Sequence, residues 1–131
     1  MPVALQGKST VSTQVRYADI AGYLTAIMNN DNVPISQSPH GQWWLINYQD
    51  FKTGQVPNVG IQIMDTGNPL QSAFYVILTD PNGFEGFPQM PDGGPFITDA
   101  GYMATLADGT KISGAQIAAN MKSWLENGFP Q

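Results

Sequence analysis

The chain has 131 residues and a net charge of −5, and only 11% of its residues are charged, against roughly 25% in ordinary soluble domains. Its 36 Asn, Gln, Ser and Thr residues must therefore supply most of the polar surface. The five cations are scattered singly, which excludes the clustered positive charge that nucleic acid or an anionic membrane surface requires. The absence of cysteine excludes disulfide frameworks, thiolate metal sites and CxxC redox chemistry.

The length fits a single domain, residues 1–131, with one sizeable core. We expect residues 1–11 to be loose and the Gly- and Pro-rich residues 83–95 to form a long ordered loop. The longest apolar run, residues 73–78, is far shorter than the ~20 residues of a membrane span, so no membrane insertion is expected. The opening residues lack the basic start and apolar block of a signal peptide, so export would require a leader outside this sequence.

The first predicted element is an amphipathic helix. Apolar residues spaced three and four apart predict it over residues 13–29. Ser12 or Thr13 can cap its start, and Asp19 lies early enough to interact favourably with its positive end. The small polar residues at 29–32 compete for backbone hydrogen bonds, so we expect the helix to end there.

The middle of the chain predicts β-structure, because its apolar segments are short, rich in aromatic or β-branched residues, and bounded by turn residues. The turn at residues 107–110 contains Asp-Gly, which is typical of a hairpin. Short links between successive strands favour antiparallel pairing. The candidate strands are residues 43–48, 59–64, 73–79 and 102–106, with a short piece at 110–112.

The last predicted element is a second helix. Ser113, followed three residues later by Gln116, forms a capping box at its start, and Gly128 with Pro130 marks its end. The order is therefore α-β-β-β-β-α. This order predicts an α+β fold with an N-terminal helix, a central antiparallel sheet of about four to five short strands, and a C-terminal helix packed on the sheet.

Candidate catalytic residues are few. His40 is the only histidine, and in a small enzyme it would act as a general acid or base with Tyr48, Asp50 or Tyr102. No Gly-x-Ser-x-Gly elbow is present for a serine nucleophile. No glycine-rich phosphate-binding loop is present either, so no cofactor is expected.

Aspartate dominates the acidic residues, with eight copies against two glutamates. Most of the aspartates have glycine nearby, which is typical of turns in which the carboxylate accepts local backbone hydrogen bonds. Asp80, Asn82 and Glu85 place oxygen ligands along one loop, but the longer ligand set of an EF-hand is missing, so this pattern only weakly indicates a hard metal ion. The turn aspartates are Asp65, Asp80, Asp92, Asp99 and Asp108.

Aromatic residues are the candidates for binding. Trp43 and Trp44 are adjacent, so on a strand they point to opposite faces, and Tyr48 shares the parity of Trp44. Phe84 and Phe87 lie in the Gly/Pro-rich loop, where they either form part of a binding surface or anchor the loop to the core.

Two classes of function remain open at this stage. The first is a non-enzymatic binding or assembly module that contacts a protein partner or self-associates. It would be extracytoplasmic, secreted or part of a virion, and a helix before an antiparallel sheet resembles the architecture of pilin-like soluble domains. The second is a small cofactor-free enzyme with an apolar pocket between the sheet and the helices. Low charge and the scarcity of His and Glu favour the first.

Overall fold

Helices dominate the computed structural model of the chain, which describes residues 14–30, 44–56, 60–90 and 95–131. Among these residues a short 3-10 turn, Pro69–Gln71, precedes the third helix. The class is α+β, but the described residues form a sheet of only two antiparallel strands, so the predicted sheet of four to five strands is wrong. The elements are α1 (Tyr17–Asn29), α2 (Tyr48–Thr53), α3 (Ala73–Thr79), β1 (Met103–Thr105), β2 (Lys111–Ser113) and α4 (Gly114–Glu126).

The hairpin predicted from the Asp-Gly turn is confirmed. Strands β1 and β2 pair in antiparallel register, with Ala104 opposite Ile112 at the centre. In the connecting turn, Asp108 Oδ1 accepts a hydrogen bond from the Thr110 N–H at 2.8 Å. Gly109 has a φ of +89°, which glycine adopts without the steric cost that a Cβ would bring.

The three other predicted strands are wrong. Residues 73–79 form α3, the described residues 44–48 contain a turn and the start of α2, and residues 60–64 contribute one isolated bridge between Gln62 and Gln55. A short apolar run fits a strand or a buried helix equally well, and packing decides between them. In α3 the fully buried Phe74 and Leu78 lie four residues apart, on one face of a helix. The described residues do not form the larger antiparallel sheet of a pilin-like arrangement.

Helix α1 is confirmed, but it begins at Tyr17 instead of residue 13. The carboxylate of Asp19 accepts a hydrogen bond from the Arg16 N–H at 2.9 Å, which satisfies a donor at the start of the helix. The proposed caps Ser12 and Thr13 lie outside the described residues. Asp19 therefore contributes to the start of α1 by a hydrogen bond to the cap residue as well as by its charge.

Helix α4 is also confirmed at its start, where Ser113 Oγ accepts a hydrogen bond from the Gln116 N–H at 3.1 Å. It packs against the 3-10 turn, α3 and β2, so its apolar face meets other helices as well as the small sheet. Its Trp124 ring belongs to an aromatic cluster. This ring lies edge-on to Phe51 and Phe74, with centroid distances of 6.3 and 6.1 Å. The predicted packing of this helix on a broad sheet is therefore wrong.

The loop after α3 is described at residues 83–90 and at residue 95, while residues 1–11 and 91–94 lie outside the described residues. Its first part is a tight turn in which Phe84 and Phe87 exchange two backbone hydrogen bonds, of 3.0 and 2.9 Å. A Cβ on Gly83 would lie 1.8 Å from the carbonyl oxygen of Phe87, so this close approach requires glycine.

Candidate functional site

Tyr48 and Asp50, two of the predicted catalytic residues, lie on the short helix α2. The Tyr48 hydroxyl donates a 2.7 Å hydrogen bond to the carbonyl oxygen of Phe129, and the Lys52 ammonium lies 5.0 Å above the centre of the Tyr48 ring. Asp50 is exposed and accepts a hydrogen bond from the Asn47 side chain at 3.1 Å. Both side chains therefore have structural partners, and the helix that carries them begins at the Asn47 cap.

Tyr102, the third predicted catalytic residue, contacts the start of α4. Its carbonyl oxygen accepts a hydrogen bond from the N–H of Gly114, the first residue of that helix. Tyr48 instead contacts Phe129, just beyond the last residue of the same helix. At 1.5 Å per residue these two attachment points are on the order of 20 Å apart. The predicted partner His40 lies outside the described residues.

The turn interpretation of the aspartates is confirmed for the described residues. Asp65 Oδ1 accepts from the N–H groups of Gly67 and Asn68, and Asp99 Oδ2 accepts from the Phe96 N–H. Asp80 and Asp108 do the same in their own turns. Asp92 lies outside the described residues. Each of these bonds joins an aspartate to an N–H two or three residues away, so each carboxylate is engaged in its own turn.

The weakly indicated metal ligands lie in the turn after α3. One oxygen of Asp80 accepts a hydrogen bond from the Asn82 N–H at 2.9 Å, and Glu85 has a φ of +46° in the tight turn that follows. Within the part of the chain that the structure describes, no three His, Cys, Asp or Glu side chains gather closely enough to hold a metal ion.

The predicted binding aromatics separate into buried and exposed residues. Trp44 is buried, with its indole N–H donating to Thr25 Oγ1 of α1 at 2.9 Å. Phe84 is half-buried and Phe87 is 40% exposed, so the two rings of the Gly/Pro-rich loop are not equally accessible to solvent. Trp43 lies outside the described residues. The predicted aromatic set is therefore not one continuous surface in the described residues.

Residues 44–47, which we call the apolar turn, expose aliphatic side chains instead. Leu45 is 54% exposed and Ile46 is 36% exposed. The turn is nevertheless fixed on both sides. The Trp44 ring is anchored to α1, and the Tyr17 hydroxyl donates to the carbonyl oxygens of Trp44 and Ile46. Sequence reasoning missed this feature because it assigned the stretch to a strand.

The phenol groups near these features stay protonated at neutral pH. Burial raises the pKa of Tyr17, and the negative charge of Asp50 raises it further. Burial also raises the pKa of Tyr75, with a smaller contribution from Glu126. A phenol whose pKa lies above its usual value of about 10 is a poor general base. The Tyr17 hydroxyl therefore acts as a hydrogen-bond donor to backbone carbonyl oxygens.

A second feature missed at the sequence level is Phe129–Gln131, which we call the FPQ segment. It folds back on α4, with the Phe129 N–H donating to the Trp124 carbonyl oxygen at 2.7 Å. The carbonyl oxygen of Pro130 accepts from the Trp124 indole N–H at 2.7 Å and from the Tyr17 N–H at 3.1 Å. In the sequence, Gly128 and Pro130 predicted only the end of a helix. The Trp-x4-Phe-Pro spacing is the sequence signal that could have indicated a docked segment.

No helix of the described residues combines the length and the apolar character needed to cross a membrane. Comparison with known proteins gives no match, because no protein-family model, no curated protein and no solved structure is significantly similar to this chain.

Proposed function

We propose that this protein is a non-enzymatic assembly module that acts by self-association through a surface centred on the apolar turn. Its composition supports this function, since a surface made mainly of amides and hydroxyls approaches another copy with little desolvation of charge. Charged residues are generally depleted at the centre of protein interfaces. The same composition supports a place outside the cytoplasm or on a particle such as a virion, where the module would be one of many copies.

The exposure of Leu45 and Ile46 on a fixed backbone is the observation that carries the proposal. Large apolar side chains in a mobile loop lose conformational freedom when they bind, and that loss weakens association. Here the buried Trp44 ring and the Tyr17 hydroxyl already hold the backbone. Burial of the pair against a second copy would therefore keep most of its hydrophobic gain.

The arrangement of the titratable groups supports a role without catalysis. General acid–base chemistry requires groups that converge on one reacting atom. The described turn aspartates instead accept hydrogen bonds within their own turns. The Tyr48 hydroxyl is bonded beyond the last residue of α4, whereas the Tyr102 carbonyl oxygen is bonded to its first residue. The half-buried phenols of Tyr17 and Tyr75 have raised pKa values, which makes them poor bases at neutral pH.

Sedimentation equilibrium over a range of protein concentrations tests the proposal. We expect the wild-type chain to form a reversible oligomer, and Leu45→Ser with Ile46→Ser to weaken its association roughly tenfold or more, because each side chain contributes about 1.5–3 kcal/mol when fully buried. Met103→Ser is the matched control, since Met103 is 47% exposed but lies on β1. A wild-type chain that stays monomeric at high concentration, or equal weakening by Met103→Ser, would contradict the proposal.

A further inference from the structure

The FPQ segment is held by groups from three separate helices. Besides the two bonds to Pro130, the Tyr48 hydroxyl of α2 donates to the Phe129 carbonyl oxygen at 2.7 Å. The Arg16 guanidinium, just before α1, donates to the Gln131 carbonyl oxygen at 3.2 Å. Every backbone carbonyl of the segment thus accepts a hydrogen bond from the body of the protein.

These contacts have the chemistry of peptide recognition. Domains that bind proline-containing peptides use aromatic side chains as a platform and donate hydrogen bonds to peptide carbonyls, since proline itself has no N–H to offer. Trp124 and Tyr48 supply such donors here, and the rings of Trp124 and Phe129 meet edge-on at 6.1 Å. Phe129 and Pro130 are only half-buried, so the segment lies on the surface and not in the core.

The connection between α4 and the segment is conformationally strained. Phe129 has a φ of +44°, in the left-handed region that bulky residues rarely adopt. Gly128 before it has a φ of +87°, and a Cβ at this position would meet no atom within 4 Å. The strain exists only while the segment folds back on its own α4. It would be released if residues 127–129 became extended.

We propose that Arg16, Tyr17, Tyr48 and Trp124 form a docking site for a Phe-Pro segment, and that in the assembled state this site holds the FPQ segment of a second copy. Reciprocal exchange restores every contact between copies and removes the strain at Phe129 from both. A short strained connection is the feature that favours exchange of this kind. The inference rests on the proposed function, because both concern self-association.

The position of Tyr17 links the docking site to the apolar turn. Its N–H donates to Pro130, while its hydroxyl donates to the carbonyl oxygens of Trp44 and Ile46. The two features are therefore separated by about the length of one tyrosine side chain. An exchange of FPQ segments would bring the apolar turns of the two copies to the same interface.

Gly128→Ala tests the exchange, with Gly109→Ala as its matched control. Both glycines have a φ near +90° and open space around the missing Cβ, so both variants introduce similar strain into the folded monomer. Only Gly128→Ala loses that strain on exchange. We expect it to raise the dimerisation constant roughly fivefold for each of the two connections, whereas Gly109→Ala leaves it unchanged.

The second measurement adds an excess of the acetylated and amidated peptide Asn-Gly-Phe-Pro-Gln to the Gly128→Ala dimer, followed by sedimentation. We expect this peptide to dissociate the dimer, and the peptide Asn-Gly-Ala-Pro-Gln to do so much less, because it lacks the ring that meets Trp124. Equal dimerisation of the Gly128→Ala and Gly109→Ala variants, or a dimer that the first peptide leaves intact, would overturn the exchange. If Leu45→Ser with Ile46→Ser still weakens association in that case, the proposed function stands and only the exchange fails.

Discussion

The β1–β2 hairpin and the aromatic cluster around Trp124 are held together in opposite ways. The hairpin depends on contacts within residues 103–113, including the Asp108 bond to Thr110 two residues away. The cluster depends on contacts between distant parts of the chain, such as the one between the rings of Phe51 and Trp124, whose centroids lie 6.3 Å apart. A substitution in the turn of the hairpin should therefore have a local effect, whereas one in the cluster should weaken the whole fold.

The largest expected effect is that of Trp124→Ala. Trp124 is 1% exposed, its ring meets Phe51, Phe74 and Phe129, and its N–H binds the FPQ segment. Removal of a large buried ring costs about 3–5 kcal/mol, which we expect to see as a lower midpoint of urea unfolding. Trp124→Phe, which keeps a ring, should cost less. An unchanged midpoint for Trp124→Ala would mean that α4 is not docked as described.

Gly114→Ala tests the junction between the hairpin and α4. A Cβ at this position would lie 2.0 Å from the carbonyl oxygen of Ile97, so the backbone must shift, at an expected cost of about 1–3 kcal/mol. Gly22→Ala is the control, because it lies inside α1 with no atom within 4 Å of the added Cβ. It should instead stabilise the protein by about 0.5–1 kcal/mol. Thermal unfolding of both variants checks the opposite signs.

Ser113→Ala should have a smaller effect that stays local. The hydroxyl accepts one hydrogen bond from the Gln116 N–H at the start of α4. Loss of such a cap costs about 1 kcal/mol. Amide hydrogen exchange should show faster exchange in the first turn of α4, while the rates in α1 change by no more than the global loss of stability allows. Equal acceleration throughout both helices would show that this end of α4 is not a local unit.

The smallest effect is the acid dependence of the hairpin turn. Hydrogen bonds from Thr110 to the exposed Asp108 carboxylate lower its pKa from the ordinary value of 3.8. The stabilisation is present above the pKa of the unfolded chain and is lost as the pH falls through the lower pKa of the folded state. Asp108→Asn keeps the turn acceptor but does not titrate. We therefore expect it to match the wild type in urea unfolding at neutral pH and to lose less stability between pH 5 and pH 2.

Sequence patterns predict the parts of this fold whose structure depends on near neighbours. The Asp-Gly turn fixes the hairpin, the Ser113 cap marks the start of α4, and the turn aspartates bind the N–H groups beside them. A period of three to four residues likewise reveals α1. In each case the decisive contact lies within a few positions, so the residue types alone carry the information.

The remainder depends on contacts that no local pattern contains. Residues 73–79 read as a strand, yet Phe74 packs against Phe51 and the run folds as a helix. The same holds for the candidate surface, because the apolar turn and the FPQ segment are both positioned by Tyr17, which is distant from each in sequence. Those tertiary contacts override the strand propensity of short apolar runs.

The backbone amide of Tyr17 has an unusual position for the first residue of a helix. Such an N–H has no acceptor within its own helix and normally exchanges quickly with solvent. Here it donates to Pro130. The rate of its deuterium uptake thus reports how often the FPQ contact opens, in a native chain without any substitution.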